Sequence, residues 1–218
     1  MKKTRLSLFP GSIRAINHLR KVDPKFVPIM DRVGRMKTEW DPDESIFESL
    51  ATSIIYQQLH GKAAATIAHR FRELFSKRGG FPSAKKVLGV DSARIRSAGL
   101  SEAKTAAILD LAEKTLARKV PDRKAAETLT DEALIEAYSQ IRGVGPWTAQ
   151  MLLIFTLRRQ DVLPTGDYGV RKGLAILYGL STMPTPKELS LLGAKWAPYR
   201  SVASWYLWRV TEFKSSDG

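Results

Sequence analysis

The chain has no cysteine among its 218 residues, which excludes a disulfide framework, a thiolate zinc site and an iron–sulfur cluster. Histidine is scarce: His18, His60 and His69 have no ligand-like spacing with carboxylates, so nothing indicates metal catalysis. Long apolar runs are missing too. The longest, around Met151 to Phe155, is far too short to cross a bilayer, and the Lys2-Lys3 start lacks the apolar core of a secretory signal. No internal repeat, low-complexity tract or sustained strand alternation is visible. The expectation is a soluble, intracellular monomer with no membrane partner. Acidic residues are also in short supply, 22 against 35 Lys and Arg, for a net charge of +13. That balance suits a polyanionic partner through counterion release. The first forty residues hold ten of the basic side chains against Asp23, Asp31 and Glu39. Either this segment is a solvated basic tail, or Phe9, Ile13, Ile16, Leu19, Phe26, Val27 and Ile29 dock it.

What is abundant is helical patterning, with enough apolar content (44%) for a core. Phe47, Leu50, Ala51, Ile54 and Ile55 make one apolar face; Ala64, Ile67, Ala68, Phe71, Leu74 and Phe75 make another, and the two helices meet at Gln57–Gly61. Ser101 and Thr130 read as N-caps, and Thr185-Pro-Lys-Glu188 as a capping box with proline at the first helical position. The pattern predicts an all-α chain of about eight to ten helices.

One stretch stands apart. In Ile141-Arg-Gly-Val-Gly-Pro-Trp-Thr148, two glycines flank a valine with proline behind, which describes a tight turn opening into a helix. Gly143 and Gly145 allow close backbone approach, and Pro146 lacks an N–H that the first helical position would leave unused. Bare amides at such a helix start suit a phosphate, and phosphate contacts position a protein on DNA without reading its sequence. Asp167 follows in Pro164-Thr-Gly-Asp-Tyr168. Its plainer reading is a helix N-cap or Asx-turn residue, since Thr165-Gly-Asp-Tyr-Gly169 has good turn composition.

With Tyr56-Gln-Gln-Leu-His-Gly-Lys-Ala-Ala64, Gly99-Leu-Ser-Glu-Ala-Lys104, Trp196-Ala-Pro-Tyr-Arg-Ser201 and Tyr206-Leu-Trp208, these motifs resemble the helix–hairpin–helix, catalytic-aspartate (HhH-GPD) superfamily of DNA glycosylases. The likeness runs over roughly residues 46–208 and is nearest the 3-methyladenine glycosylase II group in its short yeast and bacterial form. It implies a two-lobed helical bundle. Residues 44–160 would form a central lobe carrying the hairpin; residues 1–43 and 161–218 would form the second, with Asp167 at the mouth of a cleft between lobes. It also implies a partner, double-stranded DNA containing alkylated bases, met in the nucleoid of a prokaryote or the nucleus of a eukaryote.

The chemistry follows from the same likeness. Breaking an N-glycosidic bond develops oxocarbenium character, and glycosidases add a second carboxyl group as leaving-group acid. A purine methylated on N3 or N7 is already cationic, so one carboxylate, Asp167, suffices. Trp147 occupies the place where glycosylase/lyase relatives carry a Schiff-base lysine, and an indole cannot be that nucleophile. The enzyme is therefore expected to be monofunctional. Trp208, Trp147, Met151 and Tyr56 are the expected base pocket, with Trp205 and Tyr206 lower-ranked candidates, because cationic bases favour aromatic faces. Met151 stands where the bacterial enzymes have a pocket tyrosine. Gln58, Leu59 and His60 are the expected wedge that fills the gap left by a flipped nucleotide. Gly143, Val144, Gly145 and Thr148 are the expected phosphate grip. No cofactor is expected beyond a structural monovalent cation held by the backbone carbonyls of Ser139, Ile141 and Val144. Two other readings remain: a non-catalytic DNA clamp, and a glycosylase/lyase for oxidised bases.

Overall fold

In a computed structural model, residues 5–76 and 80–214 are described. The N-terminal segment runs β1 (Arg5–Leu8), α1 (Ser12–Val22), a 3-10 turn (Pro24–Phe26), α2 (Val27–Val33) and β2 (Lys37–Trp40). The middle holds α3 (Ile46–Tyr56), α4 (Gly61–Glu73), α5 (Ala84–Leu88), α6 (Ser92–Arg96), α7 (Glu102–Leu116), α8 (Arg123–Ala126), α9 (Asp131–Ser139) and α10 (Pro146–Met151). A π-helical stretch (Leu152–Thr156) follows, then α11 (Tyr168–Tyr178), α12 (Pro186–Gly193), a 3-10 turn (Ala194–Trp196) and α13 (Arg200–Lys214).

The described residues are thus mostly helical, as the apolar periodicity predicts, with two departures. The described residues hold thirteen α-helices, not eight to ten, because α5, α6 and α8 are only four or five residues long. Helices under two turns leave no periodic signature; their caps, Ser83, Asp91 and Asp122, are what define them. There is also a two-stranded antiparallel ladder, pairing Arg5 with Trp40 through Leu8 with Lys37. Its strands escape a sequence reading because their burial runs against hydropathy. Leu6 and Leu8 face outward, while Thr38 is buried.

Two compact units divide the chain. In the first, which includes Asp41–Leu152, Leu50, Ile54 and Ile55 of α3, Phe71 of α4, and Ile108 and Leu111 of α7 are fully buried. Each contributes about 1.5–3 kcal/mol of apolar transfer. Ser101 and Thr130 cap α7 and α9 as expected, accepting from the backbone N–H groups of Lys104 and Ala133.

The second unit combines the segment up to Trp40 with Leu153 onward. Its centre is aromatic: Phe26 meets Trp196 edge-on at 5.3 Å and lies 6.3 Å from Tyr206. Asp23, 2% exposed, lies here with its Oδ2 accepting from Tyr178, from Trp196 Nε1 at 2.8 Å and from Lys195 Nζ at 3.1 Å. Helices α11 and α13 press together where α11 carries Gly173; a Cβ there would lie 2.1 Å from the Leu207 carbonyl oxygen. The Thr185–Glu188 capping box forms as its sequence predicts.

Candidate DNA-backbone grip and catalytic carboxylate

In the first unit the chain reverses between α9 and α10. Ile141 and Val144 plug the turn into the core, and Gly143 takes φ +75°, a left-handed conformation in which a side chain is strained. The Val144 N–H donates to Ile141 O at 3.0 Å. That amide is committed within the turn, so the phosphate grip expected of Gly143, Val144, Gly145 and Thr148 narrows to the amides of the other three. Gly145 is the N-cap of α10, Pro146 its first residue, and the first intrahelical bond is Ala149 N to Gly145 O. A helix start leaves such early N–H groups without intrahelical acceptors.

Asp110 on α7 braces the turn, accepting from Arg142 N at 2.8 Å and Lys114 Nζ at 2.7 Å. Lys114 reaches on to Gln140 O at 2.6 Å. Burial pushes the Asp110 carboxyl up, but the Lys114 ammonium and the Arg142 N–H more than offset it and hold its pKa below the usual range. The carbonyls of Ser139, Ile141 and Val144 lie on this turn, and the buried Ser139 hydroxyl has no hydrogen-bond partner. A buried hydroxyl oxygen without a partner is the kind of donor a monovalent cation takes, although Ile141 O already accepts from Val144 N.

The turn from α3 to α4 lies in the same unit. Gln58 is left-handed at φ +55°, and Gln58, Leu59 and His60 are all exposed, with His60 the N-cap of α4 but making no side-chain cap bond. Gln57 behaves differently: its Nε2 donates to Gly143 O at 2.8 Å, tying the turn to the hairpin. Tyr56 is exposed, Met151 half-buried and Trp147 50% exposed. Core packing is therefore not what Trp147 does.

In the second unit Asp167 is both N-cap and centre of a small cluster. Its Oδ1 accepts from Val170 N at 2.7 Å and from Trp208 Nε1 at 2.8 Å, and the residue is 8% exposed. Trp208 stacks on Phe155, centroids 5.8 Å apart. A Cβ on Gly169 would lie 2.8 Å from Trp208 Cδ1 and 3.2 Å from Asp167 Oδ1, so this glycine makes room for the indole. Phe155 and Gly169 were not legible as site residues: the first lies in an apolar run, the second in a turn. Trp205 and Tyr206, expected as lower-ranked pocket residues, belong instead to the core. Tyr206 is fully buried with its hydroxyl donating to Gly34 O at 2.8 Å, and Trp205 packs on it edge-on. Among the described residues no group of His, Cys, Asp and Glu could hold a metal ion, and no helix is long and apolar enough to cross a membrane.

A helix-capping carboxylate against an indole, on a helical fold that carries a glycine-rich hairpin, defines a class, and comparison agrees. Residues 51–198 match the HhH-GPD superfamily of base excision DNA repair proteins, and the chain belongs to it. It is 35% identical over 196 residues to DNA-3-methyladenine glycosylase 1 of Schizosaccharomyces pombe, covering 89% of this chain and 86% of the relative. Among solved structures it is similar to the 3-methyladenine DNA glycosylase of the same yeast in complex with abasic DNA, with a TM-score of 0.80, 35% identity, and 91% and 97% of the two chains covered. It is also similar to a DNA-3-methyladenine glycosidase of Bacillus halodurans, with a TM-score of 0.83, 30% identity, and coverage of 98% and 95%.

Proposed function

We propose that the protein is a monofunctional DNA glycosylase that hydrolyses the N-glycosidic bond of alkylated purines, chiefly 3-methyladenine with 7-methylguanine a second candidate, in base excision repair. The observation that carries the proposal is the Asp167 cluster. A carboxylate whose orientation is fixed by a backbone amide and an indole N–H is preorganised, so it needs no rearrangement as charge develops on the sugar. A non-catalytic clamp would use this carboxylate only as the α11 cap, and would not need the Trp208 indole beside it.

Asp167 stabilises the oxocarbenium-like sugar and orients the attacking water, which takes the place of the departing base at C1′. Because the alkylated purine leaves as a neutral molecule from a cationic nucleotide, no second acid is required. Trp208, held by Asp167 and Phe155, is proposed as an aromatic wall for that cation; Trp147, Met151 and Tyr56 are proposed as further residues that meet the base. The amides of Gly143, Gly145 and Thr148 hold a backbone phosphate, while Gln58, Leu59 and His60 fill the vacated stack. A monovalent cation, held by Ser139, Ile141 and Val144, would add positive charge beneath that phosphate. With +13 net charge and no transmembrane helix among the described residues, the proposed place of action is chromosomal DNA, as a monomer.

The test is a duplex carrying one 3-methyladenine. Free base should appear while the strand stays whole until alkali or heat cleaves the abasic site. Spontaneous strand scission, with a borohydride-trapped covalent complex, would overturn the monofunctional reading that Trp147 motivates.

A further inference from the structure

The motif Gly99-Leu-Ser-Glu-Ala-Lys104 has no part in the chemistry above, yet its lysine occupies an unfavourable place. Lys104 is the third residue of α7, its N–H bonded to the Ser101 cap, so its ammonium sits in the first turn, where the helix macrodipole disfavours positive charge. Two carbonyls offset this. Lys104 Nζ donates to Ile55 O at 2.8 Å and to Gln57 O at 2.7 Å. Both belong to the C-terminal end of α3, whose last carbonyls lack intrahelical donors and whose dipole favours a cation. Burial lowers the Lys104 pKa. On the far side of the same residue, the Gln57 carboxamide donates to Gly143 O in the hairpin.

We infer that Lys104 and Gln57 are positioning residues for strand opening: together they lock the turn bearing Gln58, Leu59 and His60 to the phosphate-gripping hairpin. This rests on the reading of that turn as the wedge. The turn has few other restraints. Gln58 is left-handed, His60 makes no side-chain cap, and the Leu59 N–H bond to Tyr56 O is 3.3 Å long. Without Lys104 the Ile55 and Gln57 carbonyls both lose the ammonium that bonds them, and without Gln57 the turn loses its link to Gly143. A wedge that can recoil does not hold a base step open, because unstacking a duplex demands a few kcal/mol. With the lock intact, force on the wedge is borne by the element that holds the backbone.

The test compares Lys104→Met, which keeps the apolar stem, Lys104→Arg, which keeps the charge, and Gln57→Leu. Single-turnover release of 3-methyladenine is measured from a duplex and from the same strand alone, in wild-type and His60→Ala backgrounds. Affinity is measured for a duplex with a tetrahydrofuran abasic analogue and for an undamaged one. Lys104→Met and Gln57→Leu should each slow duplex excision by roughly 10-fold and single-strand excision by less than about 2-fold, with Lys104→Arg recovering most of the loss. In the His60→Ala background each should add clearly less than in the wild type, since part of the wedge they position is already gone. Equal slowing on both substrates, unaltered duplex excision, or full multiplicative loss in the His60→Ala background would overturn the inference. Should Lys104→Met fail to melt cooperatively, Gln57→Leu decides by the same criteria. A wild-type protein that releases no base overturns the glycosylase reading instead. The lock is then judged by whether both variants abolish a wild-type preference for the abasic duplex; no such preference, or one the variants retain, overturns it.

Discussion

Asp167 caps α11 and is the proposed catalyst, and substitutions can separate the two duties. Asn at this position still accepts from Val170 N and keeps the α11 cap, but removes the charge proposed to face the sugar. Asp167→Asn should therefore abolish detectable excision, with DNA affinity within about 3-fold of wild type and an unchanged melting temperature. Asp167→Ala should abolish excision too, and in addition destabilise the fold by about 1 kcal/mol through loss of the cap. Single-turnover kinetics, a binding titration and thermal melting check the pair. A residual rate within a few-fold of wild type in the Asn variant would reduce Asp167 to a cap. The two readings that the sequence leaves open, cap and catalyst, are thus not exclusive. Turn composition gave the cap, and the likeness of motifs gave the chemistry. What neither held was Trp208 on the same oxygen, because that contact joins residues 41 positions apart.

Among elements, the hairpin offers the cleanest contrast between a glycine needed by the fold and one needed by a ligand. Gly145 has extended backbone, and a Cβ there would meet nothing within 4 Å. Gly143 is left-handed, and its Cβ would touch Ala107 at 3.4 Å. Gly145→Ala should leave melting unchanged yet weaken binding to all DNA alike, because the added methyl crowds the phosphate against the α10 amides. Gly143→Ala should destabilise by about 1–2 kcal/mol from left-handed strain alone. Melting curves and titrations against damaged and undamaged duplexes read both; lesion-selective weakening by Gly145→Ala would contradict a backbone role. Elements with a local chemical signature were legible in this way: the hairpin, the Ser101 and Thr130 caps, the Thr185–Glu188 box and the apolar face of α3. Those defined by tertiary closure were not. The β1–β2 ladder turns its leucines outward, and the links from Lys104 to α3 and from Gln57 to Gly143 join side chains to distant carbonyls, which leave no trace in residue type.

At the scale of the molecule, charge and core make separate demands. The excess of basic residues in the first forty positions does not keep that segment in solvent: Phe9, Leu19 and Phe26 are buried in the second unit, so the docked alternative holds. Its union with the C-terminal helix depends partly on Tyr206, whose hydroxyl bonds Gly34 O across 172 positions. Burial raises the Tyr206 pKa from 10.0 to about 12, with a smaller opposing effect from Arg20. The folded state thus holds this proton more tightly than the unfolded chain does. Its contribution is complete below the unfolded pKa and is lost as pH rises through the folded one, an interval from about 10 to about 12. A shift of that size is worth roughly 2–3 kcal/mol. Tyr206→Phe should cost about 1 kcal/mol at pH 8, where the bond to Gly34 is lost, yet show a shallower decline at higher pH. Urea midpoints of both proteins from pH 8 to 12 should converge or cross, whereas parallel curves would mean that other groups, such as Tyr178 beside Asp23, govern alkaline unfolding.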